Sequence, residues 1–160
     1  MKVYLSGYIS GKVLDKCVGW RKQIIEHYDH WKGGAKYPIE WIDPLNGAEY
    51  EKISSDGLTN ESITNNAIVY RDYYSVKISD LIIANLTTFG EQRPLVGTLC
   101  ELAWGWEQKK PIIIITDDYT FANHPFIVSF SSFFVKSVEE LLDRKLINYF
   151  FKGMNSASLI

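Results

Sequence analysis

Residues 80–86 read DLIIANL, and residues 111–116 read PIIIIT. Both are short apolar runs without polar alternation, the pattern of a strand buried on both faces of a sheet. Between them lie a loop, TTFGEQRPLV, and a stretch that reads as a helix starting at Thr98 and ending near Lys109. Strand, helix and strand in that order call for a parallel pair joined by a crossover.

The same alternation continues outward. Residues 2–6, KVYLS, form a β-rich run that ends at Gly7, and YISG follows as a turn. Residues 12–31 place Val13, Cys17, Trp20, Ile24 and Tyr28 at helical steps, and Gly33-Gly34 closes that helix. A second short strand is expected near Lys36 and Tyr37, kept short by Pro38 and Pro44. Residues 67–79 predict a helix with Val69, Tyr73 and Val76 on one face. FFVK at 133–136 predicts a last strand, and residues 138–149 a closing helix capped by Ser137, with Glu140 three residues on. The expected architecture is a single doubly wound α/β domain over residues 1–160, flavodoxin-like or Rossmann-like, with about five parallel strands flanked by helices. Residues 43–66 are polar and much longer than the ~4–6 residues of an ordinary connection, so a lid or substrate loop is expected there. Residues 153–160 read as a loose tail.

Composition narrows the function. The 160 residues are 46% apolar and 22% charged, with a net charge of −2. No basic surface is available for a nucleic-acid polymer, and a small ligand fits better. The apolar runs are too short to span a bilayer, and MKVYLSG lacks the apolar core of a signal peptide, so a cytoplasmic protein is expected. Cys17 and Cys100 read as reduced core thiols. His27 and His30 have metal-pair spacing but no third ligand, so no metal or other cofactor is expected.

In a doubly wound sheet, ligands bind beyond the carboxyl ends of the strands, where loops enter helices. Glu101 falls in that place. Thr98-x-x-Glu101 has the spacing of a capping box, in which the glutamate reaches back to the N-cap amide. The same position suits a nucleophile held as an anion by the positive end of the helix dipole. Asp72 lies on the edge of an apolar helical face, where a carboxylate requires a partner or a use. Pairing with the adjacent Arg71 and service as a second, differently tuned carboxyl are both open. Among the aromatics, Trp41, Trp104, Trp106 and Tyr8 suit base stacking. Trp104 and Trp106 cannot share a helical face, and Tyr8, in the first glycine-bounded loop, is the strongest candidate.

VYLSG near the start, RD eight residues before Asp80 of SDLIIANL, GTLCELAW and KKPIIII are together similar, in order and spacing, to the nucleoside 2-deoxyribosyltransferase family and its nucleoside 5′-monophosphate N-glycosidase relatives. The resemblance covers about residues 2–116. It implies that Glu101 attacks C1′ of the sugar, that Asp72 assists the departing base, that Tyr4 orients the nucleophile and that Gly7 lets the first loop approach the ligand. It further implies deoxyribosyl transfer to another base or to water, in a homo-oligomer with shared sites. Tyr8, Ser10, Arg93 and Gly97 are the further substrate-binding candidates in this chain. Asn123 and His124, after the 111–116 strand, are candidates for the segment that relatives lend to a neighbouring subunit. Two positions depart from the nucleotide-cleaving pattern: Leu95 stands for a phosphate-holding serine and Ser10 for an arginine. Arg93, Thr87, Thr88 and Lys12 remain as alternative phosphate contacts. A non-catalytic nucleotide-binding module and an NAD-cleaving glycohydrolase, since related folds place a glutamate similarly, are the rival expectations.

Overall fold

The computed structural model describes residues 1–29, 39–45, 53–55 and 63–151. Five parallel strands form one sheet: β1 (Lys2–Gly7), β2 (Glu40–Ile42), β3 (Leu81–Asn85), β4 (Ile112–Ile115) and β5 (Phe133–Val135), in the spatial order β2-β1-β3-β4-β5. Helices α1 (Leu14–Asp29), α2 (Asn65–Ile78), α3 (Val96–Glu107), α4 (Tyr119–Ala122), α5 (Pro125–Phe130), α6 (Val138–Asp143) and α7 (Leu146–Phe151) complete the described residues. The expected doubly wound α/β architecture is present. Strand order reverses between β1 and β3, so the crevice at their carboxyl ends is the natural ligand position.

The absence of alternation in the strands has a simple cause. Val3, Leu5, Leu81, Ile83, Ile113 and Ile115 pack against Trp20, Ile24 and Tyr28 of α1 and Leu141 and Ile147 of α6 and α7. Their neighbours Tyr4, Ile82, Ala84, Ile112 and Ile114 pack on the other face with Val76 of α2, Leu102 of α3 and Ile127 of α5. Period-two residues reach opposite faces, and both faces are covered. Among the described residues no helix is long and apolar enough to cross a membrane.

Several expected elements shift. The second strand forms at Glu40–Ile42, paired with Lys2 to Tyr4 of β1, while Lys36 and Tyr37 lie outside the described residues. Most of the 43–66 segment, the 153–160 tail, His30 and Gly33-Gly34 also lie outside them. The polar stretch after β4 forms two short helices: Asp118 caps α4 by accepting from Thr120 N at 2.7 Å, and Pro125 opens α5 at a position where its missing N–H is no loss. The closing helix is broken in two, with Lys145 at φ 52° between α6 and α7. Ser137 caps α6 as expected, accepting from Glu140 N at 3.2 Å. Cys17 is buried as expected, but Cys100 is exposed, because α3 turns that position away from the sheet.

The register of α2 differs most usefully. Val69 and Tyr73, expected on the buried face, are 51% and 41% exposed. The inward line is instead Ile68, Asp72 and Val76, one residue earlier at the first two positions and unchanged at the third, a partial rotation of the face. This rotation carries Asp72 from the edge of the helix to its inner side.

Gly105 lets α3 lie close on the sheet: a Cβ there would run into Ile82 Cδ1 and stand 3.2 Å from Ile112 Cδ1. Gly105→Ala is expected to destabilise by about 1–3 kcal/mol through overpacking, despite the ~1 kcal/mol that alanine gains in helix propensity. Gly19→Ala on α1, where the Cβ meets nothing among the described residues, is expected to be neutral or stabilising. Urea unfolding of the two variants measures the contrast.

Candidate active site

The buried positions of α3 are Thr98, Glu101, Leu102 and Gly105, an i, i+3, i+4, i+7 stripe that carries the Glu101 carboxylate toward the sheet. Tyr4 and Ser6 stand two residues apart on β1 and so share a face. The Tyr4 hydroxyl donates to Glu101 Oε1 at 2.9 Å, and the Ser6 hydroxyl donates to Oε2. The capping-box reading of Glu101 is therefore corrected. Helix α3 opens at Val96 with Leu95 as an N-cap that makes no side-chain bond, two residues before the expected start at Thr98. Glu101 is then the sixth helical residue, beyond the reach of the N-cap amide and past the turn where the dipole acts most strongly.

Burial pushes Glu101 up to about 7. The bond from Ser6 opposes that rise, the nearby Asp72 adds to it, and the Tyr4 bond and the more distant Arg21 charge lower it. Burial and the adjoining carboxylate hold the Tyr4 hydroxyl well above its ordinary range, so it stays a donor. Asp72 is also raised by burial, against the lowering effect of Arg71. Arg71 donates to Asp72 Oδ1 from Nε at 2.9 Å and from Nη2 at 2.7 Å. The Arg71 pairing and the inward placement thus coexist, and both contacts fall on one carboxylate oxygen.

A pocket of about 430 Å³ opens beyond the carboxyl end of β1, between α2 and the entry to α3. Glu101 and Asp72 both line it, with Gly7 and Tyr8 from the β1 loop, Arg93 and Gly97 from the entry to α3, and Trp104 one turn beyond Glu101. Gly7 has a steric reason: a Cβ would stand 3.0 Å from Trp20 Cζ2 and 3.1 Å from Asn85 O. Tyr8 is only 5% exposed, and burial raises its hydroxyl above the ordinary range. Trp104 packs edge-on to Tyr73 at 5.4 Å, whereas Trp106 leans on Phe130 and Trp41 on Tyr28, away from the pocket.

Ser10 does not line the pocket. Its hydroxyl donates to Ser55 O at 3.1 Å and accepts from Lys12 N at 3.3 Å, fastening the short 3₁₀ turn Gly11–Val13. Lys12 lies 3.9 Å from Glu91. Asn123 and His124 are exposed between α4 and α5 and stand outside this pocket; the Asn123 amide donates to Tyr119 O at 2.8 Å. Sequence reasoning missed Ser6, whose signal was its two-residue spacing from Tyr4. It also passed over Arg21, a fully buried charge on α1. The Arg21 guanidinium donates to Leu5 O at 3.3 Å, Gly7 O at 3.1 Å and Cys17 O at 2.6 Å, lies 3.4 Å from Asp43, and stacks on Trp20. No group of three or more His, Cys, Asp or Glu suited to a metal occurs among the described residues.

A carboxyl raised from its ordinary 4.5 to about 7 opposes folding once it ionises. The folded state binds the extra proton between those values, so this contribution to stability falls as pH rises from about 4.5 to 7. Glu101→Gln removes the ionisation and keeps the shape. It is expected to be more stable than the parent at pH 8, by up to about 3 kcal/mol, and nearly equal to it at pH 4.5. Urea unfolding at the two pH values reads the difference.

No protein-family model matches this chain, and no curated protein does. Among solved structures, it is similar to the CMP N-glycosidase BcmB of Clostridium botulinum, with a TM-score of 0.51 and 16% identity over 92% of this chain and 99% of that one. It also matches a 2-deoxyribosyltransferase from Leishmania mexicana with a TM-score of 0.49 and 17% identity over 73% of this chain; the match spans 65% of the length of that protein. The likeness to the glycosidase is one of fold.

Proposed function

We propose that this chain is a nucleoside 2-deoxyribosyltransferase-like enzyme, cleaving or transferring at the N-glycosidic bond of a deoxynucleoside or nucleotide by double displacement at Glu101. The observation that carries this reading is the meeting of two carboxyl side chains, Asp72 and Glu101, at one pocket on the topological switch point, with Tyr4 bonded to the second. The order of the sequence motifs and the glycosidase-like fold support it.

In the first step a Glu101 oxygen bonds to C1′ while the C1′–N bond breaks. The electron pair leaves with the base, and the Asp72 carboxyl supplies its proton. Burial raises Asp72 and thereby helps it keep that proton, and its Oδ2 side is clear of the Arg71 contacts. The product is a glycosyl ester of Glu101. In the second step a new base or water attacks C1′, Asp72 takes the proton of the incoming group, and Glu101 departs as a carboxylate. The Tyr4 hydroxyl remains bonded to Oε1 and stabilises charge on it in both the free and the departing carboxylate. Tyr8 and Trp104 offer aromatic faces to the base.

Arg93 and the uncapped first turn of α3 bring positive potential to one part of the wall. They favour a substrate carrying an anionic group such as a 5′-phosphate. The outward face of α2 carries Val69, Tyr70, Tyr73 and Tyr74 beside the pocket mouth, an apolar patch suited to a second copy of the chain. In such an oligomer, Asn123 and His124 are the candidates to reach a neighbour's site.

Glu101→Ala is expected to lower base release from the preferred nucleoside or nucleotide by at least ~10³-fold, as loss of a covalent nucleophile does. Chromatography for free base over mixed nucleosides and monophosphates, with and without an acceptor base, checks this; undiminished release ends the reading. Binding with no release would instead favour a sequestering module, and free nicotinamide would favour NAD cleavage. Arg93→Ala is expected to raise KM for monophosphates by about tenfold or more and leave nucleosides unaffected, as loss of a charge-assisted contact does. Tyr70→Asp with Tyr74→Asp is expected to dissociate the oligomer in analytical ultracentrifugation.

A further inference from the structure

We propose that Ser6 is a positioning residue for Glu101, its hydroxyl holding Oε2 while Tyr4 holds Oε1, so that the carboxylate is clamped through both oxygens. Nothing in the family resemblance assigns this position a role. The assignment of a nucleophile rests on the function proposed above; the clamp itself rests on geometry. Ser6 is fully buried on β1, and its hydroxyl bonds to the carboxylate. The strand that presents it is fixed from behind. Arg21 donates to the carbonyl oxygens of Leu5 and Gly7, the residues on either side of Ser6, at 3.3 and 3.1 Å. The backbone about Ser6 is thus tied to α1, and its side chain has one bond, χ1, with which to meet Glu101.

A carboxylate oxygen has two lone-pair sites, so the Ser6 bond leaves Oε2 one with which to attack. The donor acts most in the second step. There the ester oxygen regains its negative charge, and a hydroxyl already aimed at it stabilises that charge without reorganisation. Two consequences follow for Ser6→Ala: the carboxyl holds its proton to higher pH, and the glycosyl ester breaks down more slowly relative to its formation. The charged and titratable groups that act on Glu101 are Tyr4 on β1, Asp72 on α2 and Arg21 on α1. All three are left in place by this substitution.

The test titrates Glu101 directly, by carbon NMR of protein labelled at the glutamate carboxyl, with Glu101→Gln assigning the resonance. The parent midpoint is expected near the value of about 7 that burial imposes. In Ser6→Ala it is expected to rise by about one to two pH units, the range that a hydrogen bond to a charged group supports. The midpoint of the base-release pH profile that reports Glu101 should move with it. A role confined to packing would lower the rate at every pH and leave both midpoints in place, and that result overturns the proposal. If the NMR midpoint moves but no nucleoside or nucleotide is cleaved by any form, the clamp stands and the glycosyl reading falls. If base release depends on Glu101 while neither midpoint moves, the clamp alone falls.

Discussion

One carboxylate, buried between a helix and a strand and held by two hydroxyls, governs the arrangement of this molecule. Glu101 is among the few polar groups sealed into the layer between α3 and the sheet. A glutamate there is tolerable only if its oxygens find donors, because burial without partners costs several kcal/mol. Tyr4 and Ser6 meet that need because β1 is a straight strand of period two, and Gly105 meets it from the other side by letting α3 approach. The donors moderate the penalty without removing it, and a carboxyl raised to about 7 is the remainder. A group near the midpoint of its titration at neutral pH is also one that can both form and release a covalent bond, so the strain in the fold and the proposed chemistry have one origin.

Arg21 stands behind the same strand. An arginine with no solvent exposure is seldom found without a partner, and here three carbonyl oxygens and Asp43 share its guanidinium. Its geometry ties α1, the end of β1 and the segment after β2 into one unit. The Gly7 carbonyl accepts from Arg21, a Cβ at Gly7 would crowd Trp20, and the following Tyr8 lines the pocket. A neutral side chain would fill the space but would leave the carbonyls of Leu5 and Gly7 without these bonds. The charge therefore acts as a structural clip for the loop and, from a greater distance, as a weak support for the anionic form of Glu101.

The sheet was legible in the sequence because its signal is coarse. DLIIANL and PIIIIT can hardly be anything but strands covered on both faces, and the helices between them fix parallel order. The convergence of Tyr4, Asp72 and Glu101 was legible only through the likeness of several motifs to a family, since nothing local says that residues 97 apart will share a bond. What escaped was rotational and pairwise. The capping box failed because Thr98-x-x-Glu101 is also the spacing of an inward stripe, and the helix began where no capping side chain marked it. The α2 face was misjudged because Val69 and Tyr73 looked like core, while Asp72 looked like the edge of that face rather than its inner side. Hydrophobicity alone ranks those residues in the wrong order when the inward face carries a partly buried carboxyl.

That inversion on α2 bears on assembly as well as on chemistry. A helix that turns Ile68, Asp72 and Val76 inward leaves Tyr70 and Tyr74 facing out, while Val69 borders the pocket and Tyr73 packs edge-on to Trp104. Turning the helix by one residue would bring Val69 and Tyr73 inward and release Asp72 to solvent, but it would also expose Ile68 and Val76 and carry Lys77 toward the sheet. The observed register keeps Val76 in the core and a carboxyl, raised by its own burial, against the pocket. Covering the outward face with a second copy would bury Tyr70 and Tyr74 while leaving Asp72 in place. The helix thus sets its carboxyl against the pocket and its two exposed tyrosines, Tyr70 and Tyr74, on the outer side.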